Sequence, residues 1–538
     1  MTRSVRTWIP VGLLAGGIFF ARQADATATL QPPATQAADL LIVNGTVIDG
    51  TGAPGRRADV AIRGDRIVAV GANLPRGTAM RVIDAQGKMV SPGFIDLHAH
   101  LEPLLDMPLM ESALRQGVTL ALGGPDGGSP LPLKPYMDSV RTAKPGINVG
   151  YLVGHNDVRR AVLGMAARAP NDAELARMKR LVAVAMGQGA FGLSTGLLYL
   201  PGTYSNVEEV IALSQTAADS GGIYTSHLRK EGIGLLDGVG EALEIGRRAK
   251  IPVVLTHHKA VGQQMWGKSV VTLAMVDSAR KAGTDVMIDQ YPYTATHTNL
   301  GVLVPSWAMA GGDAEFRKRL QNAALKDSIV QGIIFNILND RGGGDLARVQ
   351  FSRVNWDKSL EGKTLKDWAA RRNLAPTPEN GAALVLEAML KGGANAIYHV
   401  LDEGDVRRIM QSPFTMIASD GRLSRPGDGH PHPRAYGTFP RVLGEYVREQ
   451  KLLPLETAVH KMTQMPAQRL RLTDRGVLRA GAMADVVIFD AATVKDQATF
   501  TEPHQYPLGI ETVLVNGTVA VDGGKATGVR AGRVITRP

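Results

Sequence analysis

Residues 93–100 read GFIDLHAH, an apolar run that ends in two histidines one residue apart. Alternate residues of a strand point to the same side, so His98 and His100 present both imidazoles together, about 6–7 Å apart along the backbone. That is a chelating arrangement, but an HxH pair alone is also an ordinary polar strand end. Further groups able to hold a metal or move a proton recur along the chain: Asp126 in GGPDGG, His227 in TSHLRKE, His257 and His258 in THHK, Asp289 in IDQYPY and Asp420 in ASDG. Each has a plain structural alternative, such as a turn for Asp126, a satisfied core histidine for His227 or a helix cap for Asp420. The chain contains no cysteine. Disulfides and thiolate sites are excluded, and any metal must be held by imidazole and carboxylate.

The elements that would position these residues are short apolar runs, each followed by Gly-rich or polar residues and then a helical stretch: FIDLH (94–98), VTLAL (118–122), INVGYLV (147–153), AFGLS (190–194), GIYTS (222–226), PVVLT (252–256), DVMID (285–289) and TMIAS (415–419). Continuous apolar strands alternating with helices imply a parallel sheet buried on both faces, and eight such units imply a closed (β/α)₈ TIM-type barrel over residues 92–473. The pattern alone also leaves a doubly wound sheet open. The candidate residues fall at the carboxyl ends of these strands, where barrel active sites assemble, and four histidines with two carboxylates gathered there predict a metal-dependent centre. The long connection before the last strand, about 298–412, exceeds an ordinary loop and carries its own elements, so it reads as an inserted subdomain or lid.

The two ends of the chain are similar. LIVNGTVIDG (41–50) and VLVNGTVAVDGG (513–524) are near copies, and Asn-Gly between β-branched runs predicts a hairpin in each. With the neighbouring apolar runs they predict one small β-sandwich built from residues 40–91 and 474–538, two separate β-domains being the alternative. Residues 1–26 carry Arg3 and Arg6, an apolar run from Trp8 to Phe20 and the small-residue site Ala24-Asp25-Ala26. They read as a cleavable signal peptide followed by a linker over 27–39. The expected location is periplasmic or secreted, with no stable membrane association after signal removal; an uncleaved anchor is the alternative. The formal charge of +10 is dispersed and aromatics make up 5%, which argues against nucleic-acid binding and for a small-molecule substrate.

GFIDLHAH, FGLSTGLLYLPGTYS, TSHLRKE, LTHHKAVG, DQYPYTA, SDGRLSRPGDGHPHPRAYGTFPRVLGEYVRE and KMTQMPAQRL together resemble the amidohydrolase superfamily, and within it the N-acyl-D-amino-acid deacylase (D-aminoacylase) family, over nearly the whole chain after the leader. The resemblance implies a zinc-dependent barrel with a flanking β-sandwich and a small inserted domain, hydrolysing the amide of N-acylated D-amino acids. It implies one tightly bound Zn²⁺ held by His227, His257 and the residue aligned with a bridging cysteine, and a second, weaker metal position at His98, His100 and Asp420. This sequence departs from the family at that cysteine, where a Gly-Pro-Asp-Gly run places Asp126, a harder oxygen ligand. Asp420 is then the general base and acid, and Tyr199 of GLLY a hydrogen-bond donor to the oxyanion. A substrate with a free carboxylate calls for a cation, and Arg434 of HPHPR offers a bidentate fork. Lys259, Tyr291 and His297 are further candidates for the same wall. His258 is expected to be structural, and Asp289 to orient a ligand histidine. Related amides, including D-residue dipeptides and cyclic amides, are the alternative substrates, and an inactive metal-binding scaffold is the reading from another class.

Overall fold

The eight apolar runs form eight parallel strands in a computed structural model of the chain, which describes residues 38–538. They are β1 (Phe94–Asp96), β2 (Val118–Gly123), β3 (Asn148–Tyr151), β4 (Gly192–Gly196), β5 (Ile223–His227), β6 (Val253–Leu255), β7 (Val286–Gln290) and β8 (Thr415–Ile417). Strands β1 to β3 pair in sequence; the chain then runs through Leu152 into Val153–Gly154, which opens the continuous ladder from β4 to β8. The ring closes where Gly421–Arg422 pairs in parallel with Ala99–His100 and the Asp420 N–H donates to the His98 carbonyl at 2.9 Å. An open doubly wound sheet has two unpaired edges, so this closure excludes it.

The periodicity of two accounts for the packing. Ile95, Leu120, Ile223, Val254 and Met416 form one cluster drawn from strands around the ring, while Phe94, Ala121, Tyr224, Val253 and Ile417 belong to another that includes the helices. Both faces are therefore buried, and each buried aliphatic or aromatic side chain contributes about 1.5–3 kcal/mol. The helices carry their own punctuation. Asp172–Gly187 starts at a capping box between Asn171 and Glu174, and Val207–Asp219 is capped by Asn206, which satisfies amide groups the first turn leaves unpaired.

The chain ends join in one nine-stranded sheet, in which Met89–Pro92 pairs antiparallel with Val486–Phe489; two separate β-domains are thereby ruled out. One of the two expected hairpins is absent. Asn516-Gly517 does connect Ile510–Val515 to Thr518–Asp522, with φ of 49° and 79°, the two positive φ values a tight hairpin turn needs. At Asn44-Gly45 only Asn44 has positive φ, and the strand Leu40–Val47 runs straight through with a shift of register against Arg56–Arg63. A single left-handed residue makes a bulge, not a reversal.

Between β7 and β8 the chain builds a second layer: an antiparallel three-stranded sheet of Thr296–Asn299, Asn395–Tyr398 and Val349–Arg353. It packs with the helices Ala323–Asn339 and Pro378–Leu390 over its own core around Phe351, Trp368 and Tyr398. No helix among the described residues is long and apolar enough to cross a membrane.

Candidate metal centre

The strand ends bring six of the sequence-selected residues to one place. His98, His100, Asp126 and Asp420 form one cluster and Asp126, His227 and His257 a second, with donor atoms in each within 4.8 Å of one another. Asp126 belongs to both. Its Oδ1 lies 3.3 Å from His257 Nε2 and 3.5 Å from His98 Nε2, and its Oδ2 lies 3.6 Å from His100 Nε2 and 3.7 Å from His227 Nδ1. Asp420 Oδ1 is 3.5 Å from His98 Nε2 and 3.2 Å from His100 Nε2. Two donors about 2.0–2.1 Å from a tetrahedral ion stand roughly 3.3–3.4 Å apart, so these spacings suit ligands sharing a centre. Several of these atoms, namely His98 Nε2, His227 Nδ1, His257 Nε2 and Asp126 Oδ1, are buried without a hydrogen-bond partner. Unpaired polar atoms in that position are costly unless something else binds them. All are nitrogen or carboxylate oxygen, the donor set that zinc accepts, and the residues fit such an ion.

Local backbone geometry points these side chains inward. Asp126, His257 and Asp420 have φ of 54°, 38° and 48°, left-handed conformations that cost L-residues roughly 1–2 kcal/mol each and concentrate at functional sites. The surroundings hold them there. The His257 N–H donates to Asp289 Oδ1 at 2.6 Å, which makes Asp289 a support of the His257 backbone. Asp126 sits between tightly placed glycines: a Cβ on Gly124 would meet the Leu152 carbonyl at 2.6 Å, and one on Gly127 the Asn156 Oδ1 at 2.2 Å. Ser194 of β4 secures this loop, donating to the Gly124 carbonyl at 2.6 Å and accepting from the Gly127 N–H at 3.2 Å.

The electrostatics favour charge on the two carboxylates, His98 and His100, whereas burial and the neighbouring His257 push His227 down. Burial would raise the Asp126 and Asp420 carboxyls, but His98 and His257 beside the first, and Arg434 and His98 beside the second, hold both well below the usual carboxylate range. Burial likewise disfavours charge on His98, yet the Asp126 and Asp420 carboxylates push it up to about 10, and Glu102, with Asp126 and Asp420, raises His100. The folded pocket therefore demands positive charge.

A cavity of about 260 Å³ opens beside the clusters and is lined by all the wall candidates. The structure gives each a different situation. Tyr199 sets its ring 4.4 Å from that of His227 at a tilt of 50°, and its hydroxyl oxygen accepts from Thr298 Oγ1 at 3.0 Å, which leaves the phenolic proton for another acceptor. Burial and the nearby charges of Asp126 and Glu231 keep that hydroxyl neutral. Arg434 is buried, over the Tyr291 ring at 4.6 Å, and its Nη1 lies 2.8 Å from Asp420 Oδ2 in an ion pair without a hydrogen bond. Lys259 is committed as well, to Glu231 at 2.5 Å and to the His257 carbonyl at 2.7 Å. His297 bonds Ser352 Oγ at 2.7 Å, and burial together with Arg434 pushes its pKa down to about 3. It is a neutral wall residue and not a cation for the carboxylate. His258 turns away to Thr272 Oγ1 at 2.8 Å, as a structural role requires.

The amidohydrolase family model matches residues 81–330 and 361–521. The chain belongs to the amidohydrolase family. It is 40% identical over 525 residues to N-acyl-D-glutamate deacylase and 38% identical over 530 residues to D-aminoacylase, both of Alcaligenes xylosoxydans xylosoxydans, covering 93% and 94% of this chain and 96% and 98% of those proteins. Among solved structures it is similar to D-aminoacylase, with 38% identity, a TM-score of 0.79 and coverage of 93% of this chain and 100% of that one. It is equally similar to N-acyl-D-glutamate deacylase from Bordetella bronchiseptica in complex with zinc and a phosphonate mimic of the tetrahedral intermediate (36% identity, TM-score 0.78, coverage 94% and 100%).

Three buried residues of this amidohydrolase that support the site escape a reading of its sequence, two of them, Glu231 and Arg341, lining the cavity. Asp96 ties β1 to the end of β8, accepting from the Ser419 N–H at 2.9 Å and from the Ser419 hydroxyl. Glu231, four residues after His227 in TSHLRKE, is 3% exposed. Arg341, in the inserted subdomain, carries no local motif. Glu231 stands four residues after His227 in a segment that is not helical, and the adjacent Arg229 and Lys230 disguise it as surface charge.

Proposed function

We propose that this chain is a zinc-dependent hydrolase of N-acyl-D-amino acids, yielding a carboxylate and a free D-amino acid. The observation that supports it most is the sharing of Asp126 by two histidine–carboxylate clusters beside a buried arginine, in a chain whose relatives are named as D-amino-acid deacylases. His227, His257 and Asp126 would hold the tightly bound zinc; His98, His100 and Asp420, again with Asp126, offer the second, weaker position. Bound there, zinc supplies Lewis acidity toward the scissile carbonyl and acidifies an attacking water.

The protein's own groups do the rest. Asp420, anionic at neutral pH, accepts the proton of the attacking water and returns it to the nitrogen of the departing amine as the C–N bond breaks. Tyr199, neutral and with its proton unclaimed, donates to the oxygen on which negative charge develops. Arg434 binds the free carboxylate of the substrate while remaining beside Asp420, which favours linear N-acyl amino acids over cyclic amides. A panel of N-acyl D- and L-amino acids, assayed with bound metal quantified, tests this reading. Hydrolysis confined to D-substrates and dependent on zinc is expected; equal turnover of L-substrates, or full activity after zinc is stripped, refutes it.

We infer export from the order of basic, apolar and small residues over 1–26, which lie outside the described residues, and so a periplasmic or secreted mature chain beginning near Asp25 to Thr29. Amino-terminal sequencing that finds Met1 or Thr2 intact on the mature protein overturns it.

A further inference from the structure

The buried carboxylate of Glu231 has no part in the chemistry described above, yet four groups converge on it. Oε1 lies 3.3 Å from His257 Nδ1 and 2.5 Å from Lys259 Nζ, which itself meets His257 Nδ1 at 2.6 Å; Oε2 lies 3.4 Å from His227 Nε2 and 3.3 Å from Arg341 Nη2. The histidine atoms it meets are the ring nitrogens opposite those facing Asp126, which are His257 Nε2 and His227 Nδ1. The His227 imidazole thus reaches from Asp126 on one side to Glu231 on the other, while His257 meets Glu231 by way of Lys259. An imidazole that ligates through one nitrogen carries its proton on the other, and an acceptor placed there fixes both tautomer and ring orientation.

Two cations make this carboxylate tolerable in the interior, where an unpaired charge is destabilising. Lys259 comes from the barrel, just beyond β6. Arg341 comes from the inserted subdomain: it follows the helix Ala323–Asn339, is 2% exposed, and lies 5.8 Å from the ring of Tyr398 on the inserted sheet. Arg341 therefore carries the inserted layer into contact with the group behind two metal ligands.

We propose that Glu231 is a positioning residue for the two ligand histidines, orienting His227 directly and His257 through Lys259, and that Arg341 couples this hold to the inserted subdomain. The proposal rests on the zinc reading above. A merely structural Glu231, present to neutralise Lys259 and Arg341, would affect folding stability alone. A positioning Glu231 also sets zinc affinity.

The test uses the full-length mature protein, stripped of metal and titrated with zinc against a chromophoric chelator, with thermal unfolding of the metal-free form measured in parallel. Glu231→Gln keeps the size but loses the charge and one acceptor, and is expected to weaken zinc about 10- to 100-fold. Glu231→Asp, which keeps the charge and retracts it by one methylene, serves if the glutamine variant does not fold, and is expected to weaken zinc in the same direction. Arg341→Met should weaken zinc in the wild-type background and add nothing in the Glu231→Gln or Glu231→Asp background, because the two act through one carboxylate. Zinc affinity within about twofold of wild type in a folded Glu231 variant, even with a lowered melting temperature, overturns the positioning role. A full Arg341→Met penalty in both backgrounds overturns the coupling. A wild-type chain that takes up no zinc refutes the underlying reading itself, a result separable from either.

Discussion

Replacing Asp126 by alanine removes the one carboxylate that faces all four candidate ligand histidines, His98, His100, His227 and His257, at 3.3–3.7 Å. Zinc sites of three or four protein ligands bind with roughly 10–16 kcal/mol, so one ligand accounts for about 3–4 kcal/mol, or two to three orders of magnitude in Kd. A second effect must be separated from this. Asp126 has φ of 54°, and alanine held there would carry about 1–2 kcal/mol of backbone strain. Asp126→Gly removes the same ligand without the strain, so the pair distinguishes lost coordination, common to both, from lost stability, confined to alanine. Asp126→Cys supplies a thiolate at the same position and should recover zinc and at least part of the turnover. The assay is zinc competition with a chelator, alongside kcat/KM on an N-acetyl-D-amino acid and denaturant unfolding of the metal-free form. If both the alanine and glycine variants bound zinc with wild-type affinity and turned over normally, Asp126 would be a turn residue and the third ligand would lie elsewhere.

Asp420→Asn should lower kcat by about 10²–10⁴-fold while zinc bound at His227 and His257 persists; near-normal turnover would remove Asp420 from the proton-transfer role. Arg434→Lys keeps a charge but loses the planar fork, and should cost about 1.5–3 kcal/mol in kcat/KM toward substrates with a free carboxylate, with a smaller loss on the corresponding amides; an equal loss on both would deny the carboxylate contact. Metal uptake at the second position, held by His98, His100 and Asp420, should release protons, whereas burial already keeps His227 of the tight position neutral. His98 in the metal-free pocket is pushed up to about 10 from an ordinary 6.5, and His100 is also raised, so between those pH values rings that must ligate in neutral form still carry protons. Apparent metal affinity at that position should rise with pH across that window, and calorimetry in buffers of different ionisation enthalpy should count the protons. By the same sign, the contribution of His98 to metal-free stability is complete below about pH 6.5 and is lost as pH rises through about 10; pH-independent metal binding there would contradict both.

The barrel was legible because parallel strands buried on both faces must be continuously apolar, which made the eight runs visible without any alignment. Placing His98, His100, Asp126, His227, His257 and Asp420 at the strand ends required only that count. What the sequence hid was pairing in three dimensions. Arg434 reads as a free fork, and only the fold brings Asp420 against it. His297 reads as a wall cation until its burial beside Arg434 is seen. Glu231 lies between Lys230 and Gly232 after Arg229, and nothing local shows that it turns inward to His227 and His257. Asn44-Gly45 and Asn516-Gly517 share their residues, and the difference between a bulge and a hairpin lies in which strands come to flank them.

The nine-stranded sheet sets an order of assembly. Met89–Pro92 has its antiparallel partner in Val486–Phe489, and Arg81 meets Asp522 across 441 positions of chain. A growing chain thus presents its first apolar strands long before their neighbours exist, and an unpaired strand edge is a template for association with other chains. Contacts of such separation also slow folding. Even Asn148, at the start of β3, waits for the Asn516 side chain, which donates to it at 2.8 Å. Truncation ahead of Val486 would leave the barrel strands in place and open the middle of the sheet, so a shortened product is expected to aggregate before it loses its metal ligands.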